Sequence, residues 1–203
     1  LLSHEPENGV TDGQALASQT LPPWLRLRRA AIEPVAEFLA RPQWLAILLF
    51  VMLFKFGDAF AGLMTAPFVL DIGFDKVDYG RVVKVFGFAA TLIGGFAGGL
   101  VQRQIGTYPA LWVGGILQML SNLMFVWLAQ SDPSLADSSV ADPSMGLLIA
   151  AIAVENLSGG LGTVIFVGYL SQLCRNRSFT ATQFALLSSL SAVGRTVLSA
   201  PAG

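Results

Sequence analysis

Residues 145–171 read MGLLIAAIAVENLSGGLGTVIFVGYLS, a long apolar run with one charged side chain, Glu155. An α-helix rises about 1.5 Å per residue, so about 20 residues cross the roughly 30 Å hydrocarbon layer of a bilayer. This run is long enough to cross. Working outward from it, comparable runs occupy 43–70, 79–101 and 109–130, and a fifth runs from 181 to the last residue, 203. In lipid the backbone must satisfy its own hydrogen bonds, which makes such runs helices, and they are too long to be strands of a transmembrane barrel. The expected fold class is all-α, a polytopic transmembrane helix bundle.

The composition agrees. Of 203 residues, 54% are hydrophobic and only 12% charged, against about 25% charged in soluble domains; the mean hydropathy is +0.64. A net charge of −1 offers no basic surface for nucleic acid. One cysteine, Cys174, and one histidine, His4, exclude a disulfide framework and a Cys/His metal cluster. Neither a Ser/His pair nor a phosphate-cradling loop is present, because Gly159-Gly160-Leu161-Gly162 lies inside an apolar run rather than after a strand. No catalytic residue, metal or cofactor is therefore assigned. The first residue is not Met and the last three, Pro201-Ala202-Gly203, fall inside an apolar run, so the chain is expected to be part of a longer polypeptide.

Two regions follow. Residues 1–41 form a polar connector in which Arg26, Arg28, Arg29 and Arg41 alternate with Trp24, Leu25, Leu27, Ile32 and Phe38. That pattern suits either a short amphipathic helix lying on the membrane or a linker helix with a solvated face. Residues 42–203 form the transmembrane region. Basic residues favour the cytoplasmic side. They gather before the first span, at Arg103, and at Arg175 and Arg177, whereas 131–144 has none. The connector is thus expected in the cytoplasm, with the first span running outward. Gly94/Gly98 and Gly95/Gly99, at i,i+4, provide either close helix packing or a surface on which helices slide.

Lys55 and Asp58 in the first span, Glu155 in the fourth and Arg195 in the fifth are ionisable groups inside the membrane. Each costs about 2.5–3.5 kcal/mol at a helix centre, so such groups face one another or a wet cavity. Lys55 and Asp58 share a helix face with Gly62, Asn156 follows Glu155, and Arg195 stands in a stripe with Ser188, Ser191 and Ser199. Gln118 and Asn122 in the third span and Gln183 at the start of the fifth add polar groups. This is the pattern of a solute and proton pathway or of a structural polar network. A carboxyl held away from water binds a proton more readily, which makes Asp58 and Glu155 candidates for proton exchange. Lys55 and Arg195 suit carboxylates on a substrate.

Three stretches resemble the AmpG family of muropeptide permeases of the major facilitator superfamily: Lys55-Phe56-Gly57-Asp58-Ala59-Phe60-Ala61-Gly62, Glu155-Asn156-Leu157-Ser158-Gly159-Gly160-Leu161-Gly162-Thr163, and Phe179 through Ser188 continuing to Ser191-Ala192-Val193-Gly194-Arg195. Gly115-Ile116-Leu117-Gln118 with Ser121-Asn122 fits as well. The resemblance implies about helices seven to eleven of a twelve-helix transporter in the bacterial inner membrane. It also implies a missing six-helix N-terminal half, and proton-driven import of sugar–peptide anhydromuropeptides for peptidoglycan recycling. The superfamily loop signature G-x-x-x-D-R-x-G is met in part: Gly98 and Arg103 are kept, Gln102 replaces the Asp, and the second Gly, Gly106, is displaced by one. Gly98 and Arg103 then read as a cytoplasmic gating loop, or Arg103 as a plain positive-inside anchor. A related acetyl-coenzyme A transporter or other major facilitator solute transporter, and a non-transporting membrane scaffold, are the alternatives.

Overall fold

The computed structural model describes residues 22, 32–33, 35–130, 143–174 and 180–199. Among these every regular element is helical. A short helical stretch at 35–39 leads into α1 (Trp44–Asp71), α2 (Lys76–Ile105), α3 (Thr107–Leu128), α4 (Pro143–Leu173) and α5 (Thr180–Ser199). The first four have the length and apolar character to cross a bilayer. In α5 the described apolar stretch is shorter, Ala181–Val193, and carries Gln183, Ser188, Ser189 and Ser191. Arg26, Arg28, Arg29, Arg175 and Arg177 lie outside the described residues, so the expected amphipathic helix is described only in its last part.

Local chemistry sets the helix ends. The chain leaves α1 through Gly73, whose φ of 107° is open to a residue without Cβ. Asp75 then caps α2, its carboxylate accepting from Val77 N–H at 2.8 Å. This cap starts the helix before Tyr79, where the apolar run begins. Gly106, at φ 83°, is the single residue between α2 and α3. Within α2 one turn, Val83–Gly87, widens to π geometry. In α3 the helix slackens at Asn122, whose carbonyl accepts from Phe125 N–H at 3.2 Å.

The central element is α4, the most enclosed of the four long helices, packed along both α2 and α3, while α1 and α5 pair. Glycines let α2 and α4 touch backbone to backbone. A Cβ on Gly94 would strike the Leu157 carbonyl, one on Gly98 would lie 2.6 Å from the Leu161 oxygen, and one on Gly160 would strike the Thr91 carbonyl. On the α3 side Gly114 faces Gly162, a Cβ there falling 3.4 Å from the Gly162 Cα. Packing is thus what these glycines provide.

Two apolar cores form around α4. One, at the connector end, gathers Phe38, Val51, Leu111, Ile165, Phe166 and Leu170. The other, toward Asp75, gathers Val69, Phe74, Leu128, Leu148 and Ile152. Between them α4 presents Glu155, Asn156 and Ser158, and α1 presents Lys55, Gly62 and Thr65. Outward the bundle is apolar and uncovered: Phe96 is 75% and Trp112 76% exposed, and Leu45, Leu49 and Leu53 form a stripe on α1. Such a surface suits acyl chains.

Candidate functional site in the polar band

Glu155 is the centre of the band. It lines a cavity of about 730 Å³ between α1, α2 and α4, together with Gly62, Thr91, Asn156, Gly160 and Thr163. It also lines a second cavity, of about 350 Å³, between α1, α3 and α4, with Gly57, Gln118, Asn122 and Ser158. One carboxyl therefore borders two open spaces on opposite flanks of α4. Gly57, Gly62 and Gly115 would each admit a Cβ without meeting an atom within 4 Å, so the α1 and α3 walls stand away from α4 there.

Threonine hydroxyls from three helices hold the polar groups. The Thr65 hydroxyl lies 3.0 Å from Glu155 Oε1, and the Ser158 hydroxyl donates to the Glu155 backbone carbonyl at 2.8 Å. Lys55 Nζ donates to Thr163 Oγ1 at 2.9 Å and sits 5.7 Å from the centroid of the Phe166 ring. A lysine amine gains from both contacts. Asn156 Nδ2 donates to the Ile152 carbonyl at 2.9 Å, and its Oδ1 accepts from the Thr91 hydroxyl at 3.2 Å. Asn156 also abuts Gly87, where a Cβ would lie 3.2 Å from Nδ2, at the end of the widened turn of α2.

Lys55, Glu155, Asn156, Gln118 and Asn122 thus share one band, with Gln118 packed on Gly162. Gln183 is elsewhere. It is buried at the connector end, where its Nε2 donates to Glu37 at 2.9 Å beside Phe38 and Leu187. The side chains of Asp58 and Arg195 lie outside the described residues. Arg103 is exposed in the last turn of α2, where a cation complements the helix dipole. Gly98 is inside α2, pressed on α4 rather than in a loop. The contact at this end belongs to Gln102, which packs on Gly168 and donates to Thr107 Oγ1 at 2.9 Å; Gln172 donates to the same oxygen at 2.6 Å.

Thr65, Thr91 and Thr163 were not singled out as site residues from the sequence, although Thr163 closes one of the quoted stretches. For Thr65 a signal existed: Asp58, Gly62 and Thr65 are spaced i, i+4, i+7, so the polar face of α1 continues one turn past Gly62. Among the described residues, no group of three or more His, Cys, Asp or Glu could hold a metal.

A polar band between apolar cores in a bilayer-length bundle is the setting in which solute carriers bind their cargo, and comparison with known proteins points the same way. The chain is 41% identical over 187 residues to the anhydromuropeptide permease of Escherichia coli K12, covering 92% of this chain and 36% of that protein. It is a homologue of AmpG-type permeases. To the transporter AmpG 4 of Rickettsia felis it is 37% identical over 174 residues, covering 86% of this chain and 39% of that protein. The corresponding Rickettsia conorii transporter is 37% identical over 172 residues. The AmpG resemblance visible in the three quoted stretches therefore extends over most of the chain, which spans little more than a third of the length of these relatives. No protein-family model matches it. These three relatives are named as permeases and transporters, and the long apolar helices make this chain a multi-pass membrane protein.

Proposed function

We propose that this chain is part of a secondary active transporter of the major facilitator superfamily that imports anhydromuropeptides from periplasm to cytoplasm with protons, for peptidoglycan recycling. In this reading it corresponds to about helices seven to eleven of twelve in the bacterial inner membrane, with its connector in the cytoplasm. A six-helix N-terminal half supplies the facing wall of the substrate chamber. Glu155 exchanges the proton, Lys55 attracts a substrate carboxylate, and Asn156, Gln118 and Asn122 offer amides to the sugar and peptide groups. Asp58 and Arg195 belong to the same polar set by their place on α1 and α5.

The observation that carries this reading is the position of Glu155, at a polar waist between two apolar cores and on the wall of two cavities. A carboxyl in that place is costly for a scaffold to retain and useful to a proton-coupled carrier. The name of the Escherichia coli relative supplies the substrate class, anhydromuropeptides. The test is uptake of labelled anhydromuropeptide by vesicles containing the complete transporter, with and without an imposed proton gradient. Glu155→Gln is expected to abolish the response to the gradient. Gradient-driven uptake at the wild-type rate in that variant defeats the assignment.

A further inference from the structure

We infer that Thr65 is a two-way hydrogen-bond partner serving Glu155 in both of its protonation states, an inference that rests on Glu155 being the proton-exchanging acid proposed above. Thr65 is buried, at 7% exposure, and its Oγ1 lies 2.8 Å from the Ala61 carbonyl oxygen and 3.0 Å from Glu155 Oε1. A hydroxyl has one proton and two lone pairs. When Glu155 is ionised, rotation about the Cβ–Oγ1 bond aims that proton at the carboxylate, the stronger, charge-assisted arrangement. The Ala61 carbonyl then keeps the Thr65 backbone N–H as its ordinary helical partner.

When Glu155 takes up a proton on Oε1, the carboxylic acid donates to Thr65 Oγ1, and the hydroxyl turns its own proton to Ala61. The 3.0 Å separation from Glu155 serves both states, whereas the 2.8 Å contact with the Ala61 carbonyl is a hydrogen bond only when Glu155 is protonated. The exchanged proton comes from and returns to the adjoining cavity, and Thr65 neither gains nor loses one. Valine fills the same volume and can do neither. The other polar groups of the band play different parts. Lys55 of α1 is engaged with Thr163, Tyr79 of α2 is within electrostatic reach of the carboxyl, and Gln118 and Asn122 of α3 are neutral. The side chain of Asp58, also on α1, lies outside the described residues.

The experiment measures proton-driven uptake of labelled anhydromuropeptide against pH for the complete transporter carrying Thr65→Val, Thr65→Ser or Glu155→Gln, normalised to protein in the membrane. Because valine removes the stronger bond from the ionised form, the limb on which uptake falls with rising pH is expected to move upward in T65V. The shift should be about one pH unit, a tenfold change in proton affinity. Serine keeps the hydroxyl and should restore the wild-type profile. A T65V profile that coincides with wild type, or one scaled down at every pH without moving, overturns the role of Thr65 if E155Q has abolished coupling. Coupling that persists in E155Q overturns the underlying assignment of Glu155 instead.

Discussion

The contact between α2 and α4 permits a sharp test, because adjacent glycines on α2 face opposite surroundings. A Cβ on Gly98 would lie 2.6 Å from the Leu161 carbonyl oxygen and 3.0 Å from its Cα, about 0.8 Å short of the 3.4 Å at which ordinary contact begins. A Cβ on Gly99 meets only the Val164 Cγ1 atom, at 3.9 Å. Gly98→Ala must therefore push two helical backbones apart. Backbone atoms have no rotamer to yield, so the gap spreads along the contact, and overpacking of this kind costs about 1–3 kcal/mol. Gly99→Ala should gain about 0.5–1 kcal/mol, since alanine is the better helix former where there is room. In lipid no hydrophobic force draws the helices together, so lost contact is felt directly. The assay is thermal unfolding of the purified protein in detergent. In a chain of this size 1 kcal/mol corresponds to about 2–4 °C, and G98A should melt clearly below wild type with G99A at or above it. Equal melting temperatures for the two variants would refute the close approach of α2 and α4.

Two further perturbations probe the polar band and the apolar core at the connector end. Lys55→Met keeps the length of the side chain but removes the donor to Thr163 Oγ1. If the ammonium holds a substrate carboxylate, the KM for anhydromuropeptide should rise about 10- to 100-fold, the loss of a charged hydrogen bond, and an unchanged KM in transport kinetics would contradict that role. Cys174, just past the end of α4, is buried, which pushes its thiol up from the ordinary range, with the nearby Arg41 guanidinium opposing in part. The thiolate is the reactive form, so maleimide labelling of the folded protein should stay slow beyond the pH at which the detergent-denatured chain reacts fast. Because the unfolded thiol ionises first as pH rises, its contribution also makes the fold less stable above the unfolded pKa. Identical labelling profiles for folded and denatured protein would show the thiol to be open.

Most of the architecture was legible along the chain because lipid imposes a one-dimensional rule. A helix that spans must be apolar for about 20 residues, and that requirement marks α1 to α4 directly, with Glu155, Lys55 and Asp58 standing out as exceptions. Glycine spacing likewise announced close packing at Gly94 and Gly98. The ends of the helices were less legible, since a cap such as Asp75 starts α2 before its apolar run and acts through one hydrogen bond.

What the sequence by itself determined is which segments enter the membrane and which side chains are out of place there, because both follow from the transfer of single residues from water to hydrocarbon. The pairing of helices was the part that only tertiary structure decided. It set Glu155 beside Thr65, Lys55 on Thr163 and Asn156 by Thr91, and it sent Gln183 to Glu37 at the connector end. Those partners lie from 65 to 146 positions apart, and no periodicity within one helix encodes which face of another it will meet. A threonine is ordinary in any apolar helix, and it becomes part of a site only when packing brings a carboxyl within 3.0 Å of its hydroxyl.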